Sequence, residues 1–222
     1  MTKNVPQELC ILAALTTLEL NSMTSIGLKF EHQAHTEGYE LVAGVDEVGR
    51  GCLAGPVVAG AVILDLERDL PRQLNDSKKL TKRMREVISD EIKEHSLAYA
   101  FGQIEADEID RTNILEATKK AMIIAVQNLK LEADFLLVDA LELKGIQLPQ
   151  KGIIKGDAVS ASIAAASVVA KVYRDNLMKD FARKYPEYGF ERHAGYGTKA
   201  HFEAIRRHGA TSIHRKSFRG VL

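Results

Sequence analysis

Two adjacent carboxylates, Asp46 and Glu47, close the apolar run "LVAGV" at 41–45, Asp139 closes "FLLV", and Asp157 follows "KGIIKG". Side chains on a strand alternate between faces, so an adjacent acid pair on a buried strand cannot be hidden cheaply. Brought together, four such acids would repel one another and drive up their pKa values unless a cation neutralised them. The donors are oxygens alone, with no histidine or cysteine beside them. That set suits the hard ions Mg²⁺ or Mn²⁺ better than zinc. Taken singly, each acid has a plainer reading: Asp157 as a helix cap, Asp139 as the start of a turn, Glu47 as a solvated side chain. Their joint occurrence at the ends of the most apolar segments argues for convergence.

Other chemistries find less support. The glycines of "GRGCLAG" lack the spacing of a dinucleotide fingerprint, and no phosphate-loop lysine motif occurs, which argues against a nucleotide cofactor. His193, His201, His208 and His214 do not match zinc-ligand pairs and read as surface or phosphate-side residues. No serine stands in a nucleophile elbow. Two distant cysteines, Cys10 and Cys52, fit a reducing compartment, so the cytoplasm is the expected location. The stretch "CILAALTTLEL" reads as an amphipathic helix rather than a leader, and no segment reaches membrane-spanning length. Net charge is zero, yet from Lys179 to Leu222 ten Lys/Arg face four Asp/Glu, making the tail a candidate phosphate-facing surface.

The elements that must position these residues can be read from periodicity. Segments around 41–45, 57–64 and 97–104 read as strands, the first two joined antiparallel through the glycine-rich bend. Helices are predicted from Thr81 and from Asn113, and a buried strand over 134–140. Short extended pieces near 146–148 and 153–154 precede a long helix over about 158–184 and a shorter one over about 199–208. Strands first, then helix and strand in turn, predict an α/β fold: a mixed sheet with helices on its faces, in one domain.

The blocks "AGVDEVGRGCLAGPVVAGAVIL", "NDSKKLTKRMRE", "LLVDAL", "KGDAVSASIAAASVVAKVYRD", "HAGYGTKAH" and "HRKSF", in this order over about residues 37–219, resemble bacterial ribonuclease HII. The resemblance implies a ribonuclease H-like fold, a mixed five-stranded sheet with flanking helices plus a C-terminal helical part. Residues 1–36 fall outside the resemblance and read as a helical extension; the resemblance implies a catalytic core at 37–183 and a basic helical segment at 184–222 packed on it. By similarity, Asp46, Glu47, Asp139 and Asp157 are the catalytic metal-binding acids. Gly49, Arg50 and Gly51 match the loop whose backbone approaches the ribose 2′-hydroxyl, and Tyr196 the tyrosine beside the following deoxyribose. Ser77, Lys78, Lys79 and Asn113 match residues that contact the nucleic-acid backbone. The implied activity is endonucleolytic cleavage of the RNA strand of RNA–DNA hybrids and nicking 5′ of single ribonucleotides in duplex DNA, by two metal ions (Mn²⁺ or Mg²⁺), in a monomer. Another hydrolase of the same fold, such as a junction resolvase, and a non-catalytic hybrid-binding protein are the alternatives; clustered negative charge facing phosphates serves no pure binder. The sequence departs from the family at Cys52, where many relatives have proline, and at Ala194, where a basic residue often stands. No convincing clamp-binding peptide is seen in the final "SFRGVL".

Overall fold

Small residues decide how closely the central layers approach. The computed structural model describes residues 26–222 except 72, 73, 75, 76, 78 and 79. Strands β1 (Val42–Val48), β2 (Val57–Leu64), β3 (Ser96–Ile104), β4 (Phe135–Asp139) and β5 (Gln150–Ile153) form one sheet in the order β3-β2-β1-β4-β5. β2 pairs antiparallel with both β1 and β3, while β1–β4 and β4–β5 are parallel. The sheet is therefore mixed and five-stranded, and the predicted antiparallel opening is present. β1 runs three residues further than the sequence suggested, because Asp46 and Glu47 still pair with Gly60 and Ala59 of β2. Both acids thus lie within the strand rather than beyond it.

Helices cover both faces. On one, α4 (Ile114–Gln127) buries Ala117, Ala121, Met122 and Ala125 against Ala43, Ala59, Ala100 and Val138. On the other, the 24-residue α5 (Ala161–Lys184) packs with α2 (Lys82–His95) on Val62 and Leu64. A Cβ at Gly44 would stand 2.1 Å from the Ser162 carbonyl carbon, and one at Gly60 would stand 2.7 Å from the Ala166 oxygen. Glycine in β1 and β2 thus lets α5 sit directly on the sheet. Thr81 caps α2 by accepting from Met84 N, and Asn113 caps α4 by accepting from Leu115 N and Glu116 N, so both helix starts are as expected.

The long helix starts at Ala161 rather than near 158, because a 3₁₀ turn (Gly156–Ala158) intervenes and Ser160 supplies the cap. The extended piece expected near 146–148 forms no strand; β5 begins at Gln150 instead. An additional helix, α1 (Lys29–Thr36), packs Ala34 and Phe30 near Val42, Phe135 and Ile163, whereas the helix expected over "CILAALTTLEL" lies outside the described residues. Short α3 (Ala106–Arg111) precedes α4. After α5, short α6 (Phe190–His193) and α7 (Lys199–His208) join Met178, Leu53 and Ile213 in a separate small core. No helix among the described residues is long and apolar enough to cross a membrane.

Candidate active site

Parallel pairing brings the acids together. β1 and β4 run in register up to Val45 opposite Val138, so Asp46 and Asp139 emerge next to each other at the carboxyl ends of neighbouring strands. Asp46, Glu47 and Asp139 each offer a carboxylate oxygen within 4.8 Å of the others. Asp157 stands outside this group of three, buried in the 3₁₀ turn after β5. That turn nonetheless meets Asp139, whose Oδ1 accepts from Gly156 N at 2.7 Å. Ala140 (φ 52°), next to Asp139, and Lys155 (φ 56°), two residues before Asp157, both hold left-handed backbone. Such conformations cost a non-glycine residue roughly 1–2 kcal/mol and concentrate where a side chain must be aimed.

The electrostatics favour a cation. Burial, and then the Glu47 charge, push the Asp46 carboxyl well above the usual carboxylate range; Asp139 adds to this, while a hydrogen bond from Ser167 works against it. Burial also raises Glu47, opposed by Arg50, whose Nη1 lies 3.2 Å from Glu47 Oε1. A buried all-oxygen cluster whose protons are held this tightly is suited to a hard divalent cation, and the residues present fit one.

The sugar-facing candidates share this cleft. Gly49, Arg50, Gly51 and Tyr196 line it together with the three clustered acids. Gly49 has φ 91°, and a Cβ there would strike Arg174 Nε at 2.2 Å, so the turn requires glycine. Gly51 is different: a Cβ there meets nothing within 4 Å, so its smallness keeps open the solvent side of the loop. Cys52 bridges antiparallel to Tyr196, fixing the loop beside the "GYGT" turn. Cys52 is a buried free thiol, and Tyr196 is 41% exposed, with its hydroxyl raised by burial and then by Cys52. Ala194 takes φ 47° and presents its carbonyl to Arg174 Nη1 at 2.9 Å.

Of the backbone-contact candidates, Ser77 lines the cleft and shares a 2.9 Å hydrogen bond with Ser167. Asn113 is exposed, is absent from the cleft wall, and spends its side-chain oxygen on the α4 cap. Lys78 and Lys79 lie outside the described residues. Three groups in the cleft escaped sequence reasoning: Ser167, Lys171 and Arg85. Ser167 and Lys171 are four apart and so share one face of α5, a spacing that could have marked them. Arg85 donates to Ser77 O and Leu80 O, tying down the preceding loop.

Two of the four tail histidines differ from expectation, while His208 is exposed. His201 and His214 are fully buried and bonded to each other, Nε2 to Nε2, at 3.1 Å, rather than lying at the surface. Aromatic neighbours explain this, because Phe190 packs on both rings and Tyr188 packs on His214.

A family model described as Ribonuclease HII matches residues 43–221. The chain belongs to the ribonuclease HII family. The Ribonuclease HII of Desulfitobacterium hafniense is 56% identical over 194 residues, covering 87% of this chain and 74% of that relative. That of Bacillus mycoides is 53% identical over 190 residues, covering 86% and 73%. A solved ribonuclease H2 from Pyrococcus horikoshii aligns with TM-score 0.68 and 27% identity over 82% of this chain and 95% of that one. As a ribonuclease HII, the chain is an RNA–DNA-hybrid endoribonuclease on a ribonuclease H-like α/β fold. The acid cluster at the carboxyl ends of β1 and β4 is where such a sheet places its chemistry.

Proposed function

We propose that this ribonuclease HII, besides cutting the RNA strand of hybrids, nicks duplex DNA on the 5′ side of a single embedded ribonucleotide, leaving a 3′-hydroxyl and a 5′-phosphate. The observation that carries this reading is the shared cleft, in which the acid cluster, the Gly49–Gly51 loop and Tyr196 form one continuous wall. There Asp46, Glu47 and Asp139, joined by Asp157 from the adjoining 3₁₀ turn, would hold two divalent cations, Mg²⁺ or Mn²⁺, which when bound supply water activation and charge neutralisation at the scissile phosphate.

The chain's own groups do the selecting. The Gly49–Gly51 backbone, uncovered by side chains at Gly51, meets the 2′-hydroxyl that distinguishes ribose from deoxyribose. Tyr196 packs its exposed ring against the following sugar, where a second hydroxyl would displace it. Arg50 stays close to Glu47 through its side chain while its backbone serves the loop. Ser77, Lys78, Lys79 and Asn113 hold the nucleic-acid backbone, fixing register without reading sequence. The enzyme works as a monomer on the hybrid or ribonucleotide-containing duplex.

The test is cleavage of three substrates in Mn²⁺, in Mg²⁺ and in chelator: a DNA duplex with one ribonucleotide, an all-RNA/DNA hybrid and a DNA four-way junction. Expected are metal-dependent nicks 5′ of the ribonucleotide with 3′-hydroxyl ends and no junction cleavage. Cutting in chelator, or resolution of the junction with the single-ribonucleotide duplex left intact, would overturn the reading.

A further inference from the structure

Two adjacent C-terminal residues reach both sugar-facing elements. Arg215 is fully buried: its Nη1 donates to Arg50 O at 2.8 Å, and its Nε and Nη2 donate to Gly55 O at 3.1 and 3.0 Å. Its backbone N also donates to Leu53 O at 2.8 Å, and Phe218 covers the guanidinium at 5.1 Å. His214, next to it, reaches the other element through His201. The Tyr196 carbonyl can only accept, so His201 Nδ1, 2.9 Å away, carries the proton and His201 Nε2 is an acceptor. His214 Nε2–H fills that acceptor at 3.1 Å, which leaves His214 Nδ1 to accept from Thr211 N and Thr211 Oγ1. Every ring nitrogen is satisfied in one arrangement of protons. Burial, and then His201, press His214 down to about 4, so that arrangement persists at neutral pH.

Holding a fold together does not by itself call for these residue types. No carboxylate lies within ion-pair distance of Arg215 among the described residues; Asp110, which accepts from Lys216 N and Ser217 N, is a nearby anion but makes no direct contact, and so fully buried a cation is costly where apolar groups could pack instead. What the guanidinium provides is a planar set of donors aimed at the carbonyls of Arg50 and Gly55. We propose that the His214–Arg215 pair is a strut: Arg215 and the His214–His201 relay are positioning residues that fix the Gly49–Gly51 loop relative to Tyr196. The preference for a ribonucleotide followed by DNA is then set by that spacing. This rests on the sugar-reading roles proposed above.

The experiment measures kcat and KM on a duplex with a single ribonucleotide and on an all-RNA hybrid, with Mn²⁺ affinity and melting temperature recorded for each variant. Arg215→Lys keeps the charge but loses the fork. It is expected to raise KM for the single-ribonucleotide duplex about tenfold more than for the hybrid, with Mn²⁺ affinity unchanged, the loss of one well-placed hydrogen bond to a charged donor. His201→Asn retains a donor near Nδ1 but has nothing to accept from His214 Nε2–H, and His201→Gln can meet His214 but has no donor for the Tyr196 carbonyl, so each breaks one link of the relay and should shift the preference as Arg215→Lys does. Equal losses on both substrates, or a wild-type preference in both His201 variants, would overturn the strut. These two variants also decide the matter should Arg215→Lys fail to fold. Tyr196→Ala is the control: if it leaves the substrate preference unaltered, the sugar-reading roles themselves fail, and the strut with them.

Discussion

Asp46 is the residue on which burial and function conflict most directly. Its carboxyl is 4% exposed, accepts from Glu47 N at 2.7 Å, and is raised by burial and by Glu47. A raised pKa means that the folded chain binds this proton more tightly than the unfolded chain does. The group's contribution to stability is therefore full at acid pH and is lost as pH climbs from the ordinary carboxylate range through the raised folded value. Without metal, the wild-type protein at pH 8 carries that penalty, and Asp46→Asn does not. The variant is expected to melt higher than wild type in chelator at pH 8, by about 2–4 °C for each ~1 kcal/mol relieved in a chain of this size. The gap should close as the pH is lowered. Cleavage in Mg²⁺ should fall by at least about 100-fold, more than the loss of a group that merely supports a ligand costs. A melting temperature that falls on substitution would mean that Asp46 is a structural acid with a satisfied partner.

At the scale of elements, α5 organises the site, and its N-terminus is held from outside the core. Glu31 of α1 is buried, and its Oε1 accepts from Ser160 Oγ at 2.6 Å, Ser162 N at 2.9 Å and Ser162 Oγ at 2.6 Å. A carboxylate at the start of a 24-residue helix complements the positive end of its dipole and its unpaired N–H groups. Its Oε2 has no hydrogen-bond partner, so Oε1 does this alone. Glu31→Ala takes the carboxylate acceptor from Ser162 N and from both serine hydroxyls, which then have only each other at 3.3 Å, and is expected to cost about 3 kcal/mol or more in urea unfolding. Glu31→Gln keeps an oxygen there and should cost about 1 kcal/mol, the loss of charge near the helix end. Equal stability of the two variants would remove Glu31 from this role. The α5 helix itself was legible, because "SIAAASVVA" reads as a buried helical face whose small residues allow close packing. Its anchor was not, because Glu31 lies 129 and 131 positions from Ser160 and Ser162 and looks like an ordinary polar helix residue.

Across the whole molecule, convergence of the acids could be read from the sequence because apolar strands announce themselves and each ends near a carboxylate. The basic tail could not be read the same way, since composition does not say which cations are spent on the protein itself. Arg183, Arg192 and Arg207 form local ion pairs with Asp180, Glu191 and Glu203, Lys179 reaches Glu86, and Arg215 is buried among carbonyls up to 165 positions away. The groove that continues from the acid cleft is instead lined by Lys82 and Arg85 of α2 and Lys171 of α5, with Arg192 as a tail contribution. Lys171 is balanced by Asp175 at 2.7 Å, which leaves Lys82, on the exposed first turn of α2, as the cation best placed to meet a phosphate. Each phosphate neutralised releases condensed counterions, so binding weakens with salt in proportion to the number of such contacts. Anisotropy titrations of a hybrid against Asp46→Asn protein, which binds without cutting, can count them. Adding Lys82→Ala is expected to reduce the slope of log affinity against log salt by about one. Adding Arg206→Ala with Arg207→Ala, on α7 outside the groove, should leave the slope where it was. The reverse pattern would place the phosphate path along α7 and return the tail to the role its composition suggested.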